Sequence, residues 1–185
     1  MILGVGTVAL DTVETPAVVA RDVPGGSALY FAAAASTRVP VAVVGVTGED
    51  FPAEPLASLA ARGVDVRGIV RYPLPTFRWH ARYAASGERE ILSVHRSGIV
   101  RESPSVPEFL RDPDFLFLGS TDPAVQAHVL EQAGRPGTVL LDTMPHWIRG
   151  SWATLESLLA RVDVLVVNED ELYIFGNDAS DLGMA

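Results

Sequence analysis

Apolar residues fall along this chain in short, nearly unbroken runs. "ILGVG" (2–6), "VAVVGV" (41–46), "FLFLG" (115–119), "TVLLD" (138–142) and "VLVV" (164–167) are rich in Val, Ile and Leu. Runs of this length without alternation predict strands covered on both faces, as in a parallel sheet. Between them lie stretches with helix punctuation. "GGSALYFAAAAS" (25–36) is one, and "PAEPLASLAARG" (52–63) has Pro52 near its start and Gly63 after its end. "DPAVQAHVLEQAG" (122–134) carries Asp122 as N-cap, Pro123 at the first helical position and Gly134 as terminator; "SWATLESLLAR" (151–161) is the fourth. Strand alternating with helix predicts an α/β layered fold with right-handed crossovers.

Residues 71–98 have another texture. Polar and apolar positions alternate on either side of Ser86–Gly87, which predicts a hairpin with one wet face. Residues 12–24 are also extended and punctuated by Pro16 and Pro24, so both segments are expected in a small β-layer that projects from the main sheet.

At 185 residues and 48% hydrophobic content, the chain suits one ordinary domain. A formal charge of −9 without any Lys/Arg run argues against nucleic acid or an anionic membrane as partner. The apolar opening "MILGVGTVAL" lacks a basic leader and is too short to span a bilayer. With no cysteine, disulfides and thiolate metal sites are excluded, which is compatible with a cytoplasmic setting. His80, His95, His128 and His146 show no zinc spacing.

Several stretches have the residue types for chemistry. Gly4-x-Gly6-x-x-Ala9 has the spacing of a dinucleotide turn, but that turn needs a helix start, and Asp11, Thr12 and Pro16 predict extended chain instead. Gly25 and Gly26 would let backbone approach a ligand, and a helix beginning there would aim N–H groups at it. Asn168 followed by Glu171 is close to a capping box at a helix start. It also stands beyond the carboxyl end of the "VLVV" strand, where ligands bind in open parallel sheets, so its carboxylates could order the water shell of Mg²⁺ on a nucleotide. Asp142 ends a strand and could face the same crevice. Ser120 and Thr121 read as loop and helix-start residues, since no G-x-S-x-G elbow surrounds them.

Taken in order, "GVGTVALD" ending on Asp11, "GGSALYFAAAAS", "VAVVGVTGED" followed by "LAARGVDVRGI", and "VDVLVVNEDE" resemble the ribokinase-like PfkB family of carbohydrate kinases over nearly the whole chain. The resemblance implies a three-layer αβα, Rossmann-like, mostly parallel sheet with a small β-lid formed by 12–24 and 71–98. It also implies transfer of a phosphoryl group from ATP, with Mg²⁺, to a hydroxymethyl group of a sugar or nucleoside-like acceptor. Asp11 would bind acceptor hydroxyls, Gly25, Gly26 and Ser27 would line the acceptor pocket, and Asn168 and Glu171 would lie near metal and phosphates through water. A homodimer through the lid is implied as well.

The chain departs from the family pattern twice. Tyr30 stands where many members have Asn, which exchanges an amide contact for an aromatic face. No "GAGD"-type turn with the catalytic Asp follows Asn168 and Glu171; "FGNDASD" (175–181) has the wrong glycine pattern. Without that base and its anion hole, residues 1–185 are expected to form an incomplete ribokinase-like domain, the C-terminal part of the fold absent, that does not turn over alone. A sheet stopping after "VLVV" would expose an apolar edge. Two other functions compete: a non-catalytic sugar- or nucleoside-binding module derived from such a kinase, and an oxidoreductase resting on Gly4-x-Gly6-x-x-Ala9 alone.

Overall fold

The computed structural model describes residues 1–95 and 98–177. In chain order the strands are β1 (Ile2–Val5), β2 (Ala9–Glu14), β3 (Val19–Gly25), β4 (Val41–Gly48), β5 (Asp65–Tyr72), β6 (Phe77–Tyr83), β7 (Arg89–His95), β8 (Phe115–Leu118), β9 (Thr138–Asp142) and β10 (Val164–Val166). The helices are α1 (Ser27–Ala35), α2 (Glu54–Ala61), α3 (Pro123–Gln132), α4 (Pro145–Gly150), α5 (Trp152–Leu159) and α6 (Glu169–Asn177).

Six strands form a sheet in the order β10-β9-β8-β1-β4-β5, every neighbouring pair parallel. The pleat sends successive side chains to opposite faces. Leu3, Val5, Ala42, Val44, Leu116 and Leu118 pack with Val125 and Val129 of α3 and with Leu155 and Leu158 of α5. Val41 and Val43 pack the other way, with Ala28, Leu29 and Ala32 of α1 and with Leu59 of α2. The result is the expected three-layer arrangement, a sheet between two sets of helices.

The two N-terminal glycines allow close packing. A Cβ on Gly4 would fall 2.5 Å from the Phe31 ring, which stacks on Phe117 at a centroid distance of 4.4 Å. A Cβ on Gly6 would fall 2.3 Å from Ser27 Oγ. Since β2 begins at Ala9, where a dinucleotide turn requires a helix, that reading fails.

A second sheet has the order β3-β2-β6-β7, with β2 and β6 parallel and the outer pairs antiparallel. The turn between β6 and β7 is closed by the Gly87 N–H donating to the Ala84 carbonyl at 2.9 Å, with Gly87 at φ 87°. The segments 12–24 and 71–98 thus meet in one layer, with different limits. Ala9–Asp11 and Gly25 belong to it, whereas Arg71 and Tyr72 end β5 of the main sheet. Residues 96 and 97 lie outside the described residues.

The two sheets are tied beside the end of β4. Asp50 Oδ1 accepts from the Thr76 N–H at 2.8 Å and from its hydroxyl at 2.5 Å, and Asp50 Oδ2 accepts from Arg78 at 2.9 Å. Arg78 also pairs with Asp22 of β3.

One expectation is corrected. The "VLVV" run predicts cover on both faces, whereas a sheet stopping there exposes an apolar edge; Val164, Leu165 and Val166 of β10 are 42, 37 and 47% exposed, which corrects the first expectation and agrees with the second. This strand pairs with β9 on one side and is the edge of the sheet among the described residues.

Candidate functional site

The chain leaves β1 at the centre of the main sheet and visits β4 on one side and β8 on the other. Ligand crevices in open α/β sheets form where the order reverses in this way, beyond the carboxyl ends of the strands. Here that point lies between β1 and β8, and the residues just past them, Thr7 and Ser120, line a cavity of about 780 Å³. The second sheet supplies much of the remaining wall through Ala9, Asp11, Val13, Phe77, Trp79, Tyr83, Ile91 and Val94.

Asp11 is the charged group of this wall. It is 8% exposed, and its Oδ1 is buried without a hydrogen-bond partner among the described residues. Burial pushes its carboxyl up from the ordinary 3.8 to about 6. Its Oδ2 lies against Gly25, where a built Cβ would come within 2.0 Å. A buried carboxylate oxygen without a donor is costly unless something else provides one. A ligand hydroxyl in the cavity would.

Gly26 has φ 95°, and a Cβ there would fall 2.3 Å from the Thr7 carbonyl oxygen, so glycine is required on both counts. The expectation of free N–H groups at the start of α1 is corrected at two positions. The Ser27 N–H donates to Thr7 Oγ1 at 3.1 Å and the Ala28 N–H to the Thr7 carbonyl at 3.1 Å. Ser27 Oγ in turn accepts from the Thr7 N–H at 3.0 Å and donates to the Ser120 carbonyl at 2.9 Å. Thr7, Ser27 and Ser120 therefore lock the switch point.

Further along the same rim stands Asp142. Burial raises its carboxyl to about 6; the Ser120 N–H, donated to Oδ2 at 3.2 Å, opposes the rise, and the Glu171 charge adds to it. Buried Gln126 braces the rim, its Nε2 donating to the carbonyls of Leu118, Gly119 and Asp142 at 2.9 to 3.1 Å.

Asn168 and Glu171 form the reciprocal cap that their spacing predicts. Asn168 Oδ1 accepts from the Glu171 N–H and Glu171 Oε2 from the Asn168 N–H, each at 2.9 Å. They follow β10 on the same rim as Thr7, Ser120 and Asp142 but do not line the 780 Å³ cavity. Glu171 is only 6% exposed and close enough to Asp142 to raise its carboxyl. Two mutually repelling carboxyls with oxygen donors alone fit a hard cation such as Mg²⁺ held through water.

No family model and no curated protein sequence matches the chain. Solved structures do. An E. coli protein assigned as ribokinase II superposes with a TM-score of 0.78 at 18% identity, covering 98% of this chain and 68% of its own. The nucleoside kinase of Burkholderia thailandensis, in complex with inosine, gives 0.75 at 14% identity, covering 99% and 64%. The ribokinase of Cryptococcus neoformans, in complex with ADP, gives 0.69 at 21%, covering 96% and 61%. The fold is ribokinase-like.

Within the ribokinase-like fold, this chain spans between 61 and 68% of the length of those three proteins. Of the residues singled out from the sequence, Asp11, Gly26, Ser27 and Tyr30 share the cavity; Gly25 packs behind Asp11. Ser120 was read as a loop residue and lines the cavity, while Arg78 is engaged with Asp22 and Asp50. Thr7, Met144, His146 and Trp147 were missed. The signal for the last three was "MPHW", which begins two residues after the strand end at Asp142, on the rim where open α/β sheets hold ligands.

Proposed function

We propose that the chain forms the acceptor side of an ATP-dependent kinase that phosphorylates a hydroxymethyl group of a sugar or nucleoside-like molecule. The observation that carries this reading is the buried Asp11 carboxylate, with one oxygen lacking a donor, on the wall of a large cavity at the switch point. Asp11 accepts from acceptor hydroxyls, which fixes the acceptor's orientation. The second sheet covers the acceptor as a lid and keeps water, a competing nucleophile, away from the reactive phosphate. Asn168 and Glu171, beside Asp142, hold the water shell of a Mg²⁺ ion that neutralises charge on the nucleotide phosphates. Among the neighbours, one carries ADP and another ATP with Mg²⁺, which supports the same nucleotide and metal here.

No "GAGD"-type turn follows Asn168 and Glu171, so in this reading residues 1–185 do not supply the base that would orient the hydroxyl or the donors that would meet the developing charge. On this reading the chain alone binds an acceptor without turning it over. Calorimetric titration with sugars and nucleosides should detect an acceptor, and Asp11→Asn should weaken it at least ten-fold. An ATP-dependent phosphorylation assay on the same chain should stay at blank. Turnover above blank would show that the base lies within these residues, and unchanged binding by the Asp11 variant would remove Asp11 from the site.

A further inference from the structure

The cavity is chemically lopsided. Of its polar lining, Thr7 and Ser27 are already engaged with each other and with the Ser120 carbonyl, whereas Asp11 Oδ1 is buried without a partner among the described residues. The Asp11 carboxylate is thus an acceptor open to a ligand. Across the second sheet the register sets Asp11 beside Trp79 and Trp79 beside Val94. A row leading away from the carboxylate thus becomes aromatic and then aliphatic, and Ile91, paired with Ala81 in a neighbouring row, lines the same cavity. Trp147 and Tyr30 line the same space from α4 and α1. The Trp79 ring is itself held, with Tyr83 edge-on at 6.5 Å and the Arg89 guanidinium 5.9 Å from its centroid.

A free sugar matches this wall poorly. Its hydroxyls point to every side, and each one turned toward Trp79, Val94 or Ile91 would be buried without a partner, at a cost of about 1 to 3 kcal/mol. It would also leave much of the cavity to water. A molecule with hydroxyls at one end and a flat apolar ring at the other matches both halves at once, since an aromatic face stacks on indole and covers the aliphatic row.

Resting on the acceptor-site reading above, we propose that the acceptor is a sugar carrying a flat aromatic substituent, as a nucleoside does, with Trp79 as the residue that selects it. The sugar hydroxyls meet Asp11, and the ring lies along Trp79 toward Val94.

The test is calorimetric titration of the chain with adenosine, phenyl β-D-ribofuranoside and D-ribose, repeated on Trp79→Ala, Trp79→Phe and Asp11→Asn. Adenosine and the phenyl riboside should each bind at least ten-fold more tightly than ribose. Trp79→Ala should reduce that ratio about ten-fold and Trp79→Phe should restore most of it, which a general folding defect would not do. Ribose binding as tightly as the two aromatic ribosides, with Asp11→Asn weakening all three, overturns the substrate class and leaves the acceptor site standing. A ratio untouched by Trp79→Ala removes Trp79 as the selector and so overturns the proposal as well. Absence of binding by every probe, or indifference of all three to Asp11→Asn, overturns the acceptor site and the substrate class together.

Discussion

At the scale of single residues, the buried Asp11 carboxylate costs stability. Its carboxyl is held near 6 by burial, well above the ordinary 3.8. The folded chain therefore binds that proton more tightly than the unfolded chain does. Its contribution to stability is full below pH 4 and is lost as pH rises through about 6. Asp11→Asn removes the charge, so its stability relative to the parent should improve between pH 4 and pH 7.5 by about 1 to 3 kcal/mol, taking 1.36 kcal/mol per pKa unit. Denaturant titrations at the two pH values check this; an equal difference at both would show that Asp11 ionises without penalty. Strain of this kind at a buried group is expected where function selects against the most stable residue. From the sequence, Asp11 was readable as a candidate through its place after "GVGTVAL". Its lack of a partner was not, because burial depends on Gly25 and β6, which come from elsewhere in the chain.

At the scale of elements, the capping box at α6 joins two roles in one side chain. Glu171 closes the helix start and also raises the Asp142 carboxyl. Glu171→Gln keeps an oxygen for the Asn168 N–H but deletes the charge, so the Asp142 midpoint should fall from about 6 while the melting temperature stays nearly constant. Asn168→Ala should instead cost about 1 kcal/mol, as loss of an N-cap does. Carboxyl-carbon NMR titration and thermal melts separate the two. Caps of this kind are local, which is why Asn168 with Glu171 and Asp122 with Pro123 could be read directly from the chain; Asp122 Oδ1 does accept from the Ala124 N–H at 2.9 Å. Strand β5 was harder to see. "DVRGIVRY" mixes charge with apolar residues because, among the described residues, it pairs with β4 on one side only and is half-exposed. Helix α4 has only six residues, too few to show a period. At β10 continuous apolar residues predicted cover on both faces, but the strand is exposed and, among the described residues, pairs with β9 only.

At the scale of the whole molecule, that uncovered edge is the main liability. Val164, Leu165 and Val166 are joined on the surface of the described residues by Leu172 and Tyr173, 63 and 70% exposed. Unpaired strand edges with apolar side chains recruit other chains. The isolated 185-residue chain should therefore bind a hydrophobic dye or self-associate at micromolar concentration. Val164→Lys with Val166→Lys should suppress both, as light scattering and sedimentation would show. Monomeric, dye-silent behaviour of the parent would mean that this edge is protected in solution.

The parallel pairing of β2 with β6 has its own consequence for how the molecule comes to be built. Strands separated in sequence by β3, α1, β4, α2 and β5 lie side by side at the cavity wall, register Asp11 to Trp79. A nascent polypeptide can zip β2 to β3, or β6 to β7, as soon as each hairpin emerges. The seam between the hairpins should close later, since β4, which pairs with β1, and β5, which pairs with β4, lie between them in sequence and long loops close late. The cavity wall that carries Asp11 and Trp79 is thus expected to close after the hairpins that flank it.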